Sequence, residues 1–191
     1  MNLHEISIQD RSALEKLILS NLGALSGEIE ILESGLMSEH GLVCLAVDKN
    51  RRCLLLSFST EEDDSLLVRA LGQLSWIAEH RPLLTRVFCS TGVDFEQCPK
   101  IILISPAFSK ALLEAPAYLN IDVNLYRFRA LKSDREQAIL FEAVPPISRK
   151  PAFSFEPAPA YDRPGDSSKS VQLTEMERRF FESPAAGRQT T

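Results

Sequence analysis

Residues 41–60 read GLVCLAVDKNRRCLLLSFST, and this stretch decides the fold. Two runs rich in Val, Leu and Cys, residues 42–47 and 52–59, flank the polar tetrapeptide DKNR at 48–51. Apolar runs joined by a short polar turn are typical of a β-hairpin. We therefore predict two adjacent antiparallel strands here, and the rest of the chain is interpreted outward from them.

Helices are predicted before and after this hairpin. Over residues 12–22 the apolar side chains recur at three- and four-residue steps, and Ser12 with Glu15 forms a capping-box pattern. After the hairpin, the acidic run 61–64 suits the positive end of a helix dipole. The helix that follows, residues 65–80, ends at Arg81-Pro82. One apolar face is predicted for it, made of Leu67, Ala70, Leu71, Leu74, Ile77 and Ala78.

The remaining elements alternate in type. Residues 101–105 (IILIS) are apolar at nearly every position, which is typical of a strand covered on both faces. A helix is predicted over 107–119, distorted near Pro116. Further strands are predicted near 28–32, 87–89, 122–129 and 137–144. This order predicts an α/β domain over residues 1–144, with a mixed central sheet flanked by helices.

Composition argues against several classes of protein. Residues 1–144 hold 14 Lys and Arg against 20 Asp and Glu, a net charge of −6, which disfavours non-specific binding to phosphate backbones. The four Cys and three His lie too far apart in sequence for a zinc site, so we expect no structural metal and no bound cofactor. No apolar run is long enough to cross a membrane. With no secretory signal visible, we expect a cytoplasmic protein.

The chain changes character at Pro145. Seven of its eleven Pro fall within residues 145–191, with few aliphatic side chains between them, so we predict a disordered, flexible tail. One short amphipathic helix is predicted within it, near 173–182. Its apolar face would carry Leu173, Met176 and Phe180, which could anchor the tail in a groove of a protein partner.

Several short motifs, in this order and spacing, resemble the PD-(D/E)XK nuclease superfamily, in particular its RecB-like and NucS-like groups. The likeness extends from about residue 14 to residue 144. It implies a restriction-endonuclease-like fold. The motifs that carry it are LAVD at 45–48, the strand 52–59, ALGQL at 70–74, KIILISPAF at 100–108 and IDVNLYRFRA at 121–130.

The same resemblance implies a degenerate active site. Active members place an Asp on one hairpin strand and Glu-x-Lys on the next, and the positions that match here are Val43, Ser57 and Ser59. Mg²⁺ requires oxygen ligands, usually carboxylates, which a valine methyl and two hydroxyls replace poorly. Within residues 41–60 the one acidic side chain is Asp48, in the turn. The resemblance therefore implies a nuclease-like domain without its metal.

Two other positions match features of the family. Glu15 lies on the first helix, where many members carry an acid near the metal, although capping with Ser12 explains it as well. Gln73 matches the Gln of a Gln-x-x-x-Tyr motif whose Tyr position is Ile77 here. On the predicted helix it lies away from Leu71 and Leu74, as either a polar groove contact or a solvated or sheet-edge amide.

Three functional hypotheses follow from these residues. The first is a catalytically inactive domain that binds a nucleic acid or a protein. The second is an active Mg²⁺-dependent nuclease whose ligands have migrated to Glu15, Asp48 and either Asp63 or Asp64. The third is an adaptor that acts through its tail helix.

Overall fold

A computed structural model describes residues 4–25, 29–133 and 137–145. All of these lie in one compact unit, Met1–Ala152. The tail helix predicted near 173–182, with its anchors Leu173, Met176 and Phe180, lies outside the described residues. The strands are β1 His4–Ile6, β2 Glu30–Ser38, β3 Gly41–Val47, β4 Cys53–Phe58, β5 Lys100–Ser105, β6 Val123–Lys132 and β7 Gln137–Val144. The helices are α1 Arg11–Ser20, α2 Leu66–Glu79, α3 Arg81–Val87 and α4 Lys110–Glu114.

Among the described residues, seven strands form a single mixed sheet. A mixed sheet was predicted, but β1 was not. The segment β2–β3–β4 is antiparallel, β4–β5–β6 is parallel, and β7 returns antiparallel along β6. β7 pairs with one edge of β6. On the other edge of β6, β5 pairs with the first half of the strand and β1 with the second half. The α/β architecture with a central mixed sheet is therefore confirmed.

Two apolar layers cover the two faces of this sheet. On the first face, Val43, Leu45 and Leu55 pack against α2, α3 and α4. On the second face, Cys44 and Leu56 pack against α1. Alternate residues of β3 and β4 therefore enter different cores, which explains why these strands are apolar at nearly every position rather than at every second one.

Two local predictions were wrong, and one helix was not predicted. Residues 87–89 are not a strand, because α3 runs through Val87 and a 3₁₀ turn follows at Cys89–Thr91. The helix predicted over 65–80 ends at Glu79, just before Arg81-Pro82 as predicted, but α3 follows directly, with Pro82 in its first turn, where the missing N–H has no intrahelical role. The cap of α1 is Asp10 rather than Ser12, because the Asp10 carboxylate accepts from the backbone N–H groups of Ser12 and Ala13.

The helix predicted over 107–119 is split. Its first part is α4, and a 3₁₀ helix at Ala115–Tyr118 contains Pro116, as the prediction of a distortion there implied. Among the described residues, no helix combines the length and the hydropathy needed to cross a bilayer.

Candidate functional site

The matched nuclease positions lie at the open end of the β3–β4 hairpin. Cys44 pairs with Leu56, so one residue further in the same register Val43 lies opposite Ser57. Both side chains point to the face that α2 covers, and their exposed fractions are 0% and 2%. Ser59 lies just beyond β4, where its N–H donates to the Ile104 carbonyl at 3.0 Å. The structure therefore brings Val43 and Ser57 together, but inside the core.

Gln73 lies over the same end of the hairpin. Its side chain is fully buried, on the face of α2 that also buries Ala70 and Ile77. The Gln73 Nε2 donates to the Leu42 carbonyl at 2.9 Å. The prediction that this residue lies away from the apolar face of α2 was therefore wrong, because the amide joins the helix to the start of β3.

Within the part of the chain that the structure describes, three buried polar atoms on β4 and α2 have no hydrogen-bond partner: Ser57 Oγ, Gln73 Oε1 and Arg69 Nε. A buried polar atom without a partner carries a desolvation penalty of about 1–3 kcal/mol. Such atoms are uncommon in folded proteins and concentrate where function or strain competes with stability. The open end of the hairpin is therefore polar but incompletely bonded.

Asp63, in the acidic run that precedes α2, is bonded to the start of that helix. The Asp63 carboxylate accepts from Ser65 N–H at 2.9 Å and lies 2.6 Å from the Arg69 guanidinium. Burial alone would raise the pKa of Asp63, but the hydrogen bonds from Ser65 and Arg69 outweigh it and lower that pKa. Asp63 is thus held as a carboxylate and paired with a cation.

Glu15 lies on the other side of the sheet. It belongs to α1, which packs on the face of β3 that carries Cys44 and Ala46. Burial, followed by the nearby charges of Glu15 and Glu33, raises the pKa of the Cys44 thiol to about 12. The charge of Glu15 therefore acts on Cys44, which points to the sheet face opposite to Val43. This proximity could not be predicted from the sequence, because the face of the sheet that α1 covers depends on packing.

The Asp48 carboxylate stabilises the hairpin turn. Its Oδ1 accepts from the N–H groups of Asn50 at 2.8 Å and Arg52 at 3.0 Å. Asp48 is separated from Val43 by most of β3, about 16 Å along the strand at roughly 3.3 Å per residue. Glu15, Asp48 and Asp63 therefore lie in three separate places. Among the described residues no group of three or more His, Cys, Asp or Glu could hold a metal ion.

An accessible apolar groove lies at the other end of α2. Its volume is about 460 Å³, within the range of small-molecule and peptide side-chain sites. One wall is α2 and the other is the loop that precedes β5. Arg81 at its rim is 3.0 Å from Glu96, so the cation is already paired. The main apolar lining residues are Leu71, Leu74, Ile77, Phe95, Pro99 and Ile121.

The groove's loop is fixed to the hairpin. The Arg52 guanidinium donates to the Cys98 carbonyl at 3.0 Å and lies 2.9 Å from Asp122, just before β6. Sequence reasoning missed this groove, because its two walls are separated by about 20 residues. The cluster of apolar side chains on α2 was the one available signal.

No protein-family model matches the chain, and no curated protein matches it. Among solved structures, the chain is similar to an EndoMS–dsDNA2 complex (13% identity, TM-score 0.42, covering 65% of this chain and 47% of that chain). It is also similar to EndoMS in its apo form (13%, 0.43, 62% and 46%). A repair endonuclease from Pyrococcus abyssi gives 16% identity, a TM-score of 0.41 and coverages of 63% and 48%. The chain thus spans about half the length of these structures.

Proposed function

We propose that residues 1–144 form a non-catalytic binding domain on a PD-(D/E)XK-like scaffold. The observation that carries this proposal is the state of the matched positions: Val43 and Ser57 are buried, and neither supplies a carboxylate. A metal-dependent nuclease needs its cation and the scissile phosphate at one accessible place. The candidate replacement acids, Glu15, Asp48 and either Asp63 or Asp64, belong to α1, the hairpin turn and the segment before α2, respectively.

A cleavage assay tests the loss of catalysis. The full chain is incubated with plasmid DNA and Mg²⁺ or Mn²⁺, beside a Glu15→Ala variant purified in the same way. We expect equal and negligible nicking from both proteins. Metal-dependent cleavage that the wild type shows and Glu15→Ala loses would favour the migrated-ligand hypothesis instead.

We further propose that the ligand of this domain is a protein that inserts apolar side chains into the groove along α2. The groove is apolar, and its single lining cation, Arg81, is paired with Glu96. The net charge of −6 over residues 1–144 points the same way. Nucleic-acid binding would need unpaired cations facing phosphate, and its affinity would fall steeply with salt.

Two surface variants separate these ligands. Ala78 is exposed and lines the groove, whereas Val68 is exposed on the same helix and does not line it. With a protein ligand, Ala78→Glu should abolish binding and Val68→Glu should leave it unchanged. Binding to a DNA or RNA oligonucleotide at low salt, unaffected by Ala78→Glu, would contradict the groove proposal.

The tail remains a second proposed contact with a protein partner. Leu173, Met176 and Phe180 have the spacing of anchors on one helix face. Deletion of residues 171–191 should remove a partner that the full chain retains, without lowering the melting temperature. A large loss of thermal stability would instead indicate that the tail supports the chain's own fold.

A further inference from the structure

We propose that the outer edge of β7 pairs with β7 of a second copy of this chain, so that two sheets join across a twofold axis. This inference is independent of the proposed ligand, because it concerns the edge of the sheet farthest along the strand order from the hairpin.

The free edge of β7 is long and regular. Its eight residues pair with β6 in one unbroken register, from Gln137 opposite Lys132 to Val144 opposite Leu125. In an antiparallel strand, alternate residues turn their N–H and C=O groups away from the neighbour. Among residues 4–25, 29–133 and 137–145, no other strand pairs with that outer edge. These outward groups form a template for one more strand.

The composition of β7 is that of an interior strand. Six of its eight residues are apolar, Glu142 is its one charged residue, and it contains neither Pro nor Gly. Leu140 is 56% exposed, although it lies on the sheet face that packs against α2 further along the sheet. A long apolar edge left unpaired promotes aggregation, so natural sheets usually protect it or use it.

The opposite edge of the sheet shows such protection. β2 carries Glu30, Glu33 and Gly35, and its pairing with β3 shifts register twice, between Ile31 and Glu33 and again before Leu36. Bulges and charges on an edge strand discourage pairing with another chain. This chain therefore blocks one edge of its sheet and leaves β7 suited for pairing.

The side chains of β7 are compatible with their own copy. In an antiparallel pair, residues directly opposite each other point to the same face of the sheet. A twofold axis perpendicular to the sheet can therefore place one residue opposite the same residue of the second copy. Centred on Leu140, the pairing sets Leu140 against Leu140, Ile139 against Phe141, and Ala138 against Glu142. This register buries the exposed leucine and keeps the two carboxylates apart, whereas one centred on Glu142 would place like charges opposite each other.

A charge-swap experiment on the full chain tests this pairing at its centre. Analytical ultracentrifugation over a concentration series should show a dimer for the wild type. Leu140→Lys and Leu140→Glu should each weaken dimerisation by about tenfold or more, because like charges then face each other. An equimolar mixture of the two variants should restore the dimer, since Lys and Glu then meet across the axis.

The controls make the result decisive. Val68→Lys, at a residue 69% exposed on α2, should leave the dimer unchanged. Leu140→Glu places its carboxylate beside Arg129 of the same chain, so this variant should fold even if Leu140→Lys does not. A monomeric wild type, whether because another segment covers the edge or because nothing pairs with it, would overturn the proposal. A dimer insensitive to Leu140→Glu would overturn it equally.

Discussion

The two ends of the β3–β4 hairpin differ in how completely their polar groups are hydrogen-bonded. At the turn, the Asp48 carboxylate accepts two backbone N–H groups, and Arg52 binds both Asp122 and the Cys98 carbonyl. At the open end, Ser57 and Gln73 are buried, and each has a polar atom that finds no partner among the described residues. Both ends belong to the same two strands, so the difference comes from what packs around each end.

Hydrogen bonding is more complete at the turn than at the open end of the hairpin. A well-bonded turn fixes the register of the hairpin and the loop beside the groove. The open end buries polar side chains that a purely structural core would not need. Apolar packing surrounds them there without satisfying all of their polar atoms among the described residues. The following predictions test that contrast.

The largest effect is expected for Gln73→Ala. The variant leaves the Leu42 carbonyl without its 2.9 Å partner and opens a cavity beneath α2. These losses outweigh the relief from removing the unpaired Gln73 Oε1, so the free energy of unfolding should fall by about 2–3 kcal/mol, measured by urea denaturation. Ser75→Ala, at an exposed position on the same helix, should change it by less than about 0.5 kcal/mol. Equal losses in both variants would mean that the amide contributes nothing specific.

A smaller loss is expected at the turn. Asp48→Ala removes the acceptor for Asn50 and Arg52 N–H groups, which should cost about 1–2 kcal/mol in unfolding free energy. Lys49→Ala, in the same exposed turn, is the matched control and should be neutral. If Asp48→Ala were also neutral, the turn could not be the better-bonded end of the hairpin.

The smallest effect has the opposite sign. Ser57→Ala removes a buried hydroxyl that has no partner, so it should raise the free energy of unfolding by up to about 1 kcal/mol. Ser105→Ala should lower it by about the same amount, because the Ser105 hydroxyl donates to the Glu61 carbonyl at 3.0 Å. A loss at both positions would indicate that Ser57 is bonded in solution, and would remove the contrast.

The elements whose conformation follows from a local sequence pattern were predicted correctly. The hairpin and β5 were clear because long apolar runs have few alternatives to buried strands. The run Val87-Phe88-Cys89 has strand-like composition but follows α3, which has Pro82 in its first turn, and the helix continues through Val87. Propensity is a weak signal when a neighbouring element sets the conformation.

The candidate site depended on contacts that no local pattern contains. Gln73 is buried because its partner, the Leu42 carbonyl, comes from a strand 31 residues earlier. Glu15 and Val43 were expected near one site, yet α1 and α2 cover opposite faces of the sheet. Neighbouring residues of β3 point to opposite faces of the sheet, so a shift of one residue changes which helix a side chain contacts. Residue types alone could therefore suggest the lost acids but not the geometry around them.

Gly72 shows how closely α2 approaches the turn between β2 and β3. A β-carbon added at Gly72 would lie 2.6 Å from the ring of His40, an approach that real side chains do not make. Any larger residue at position 72 would displace the imidazole. In relatives of this chain, substitutions at positions 40 and 72 should consequently be correlated, with a bulkier helix residue accompanied by a smaller or re-oriented one in the turn.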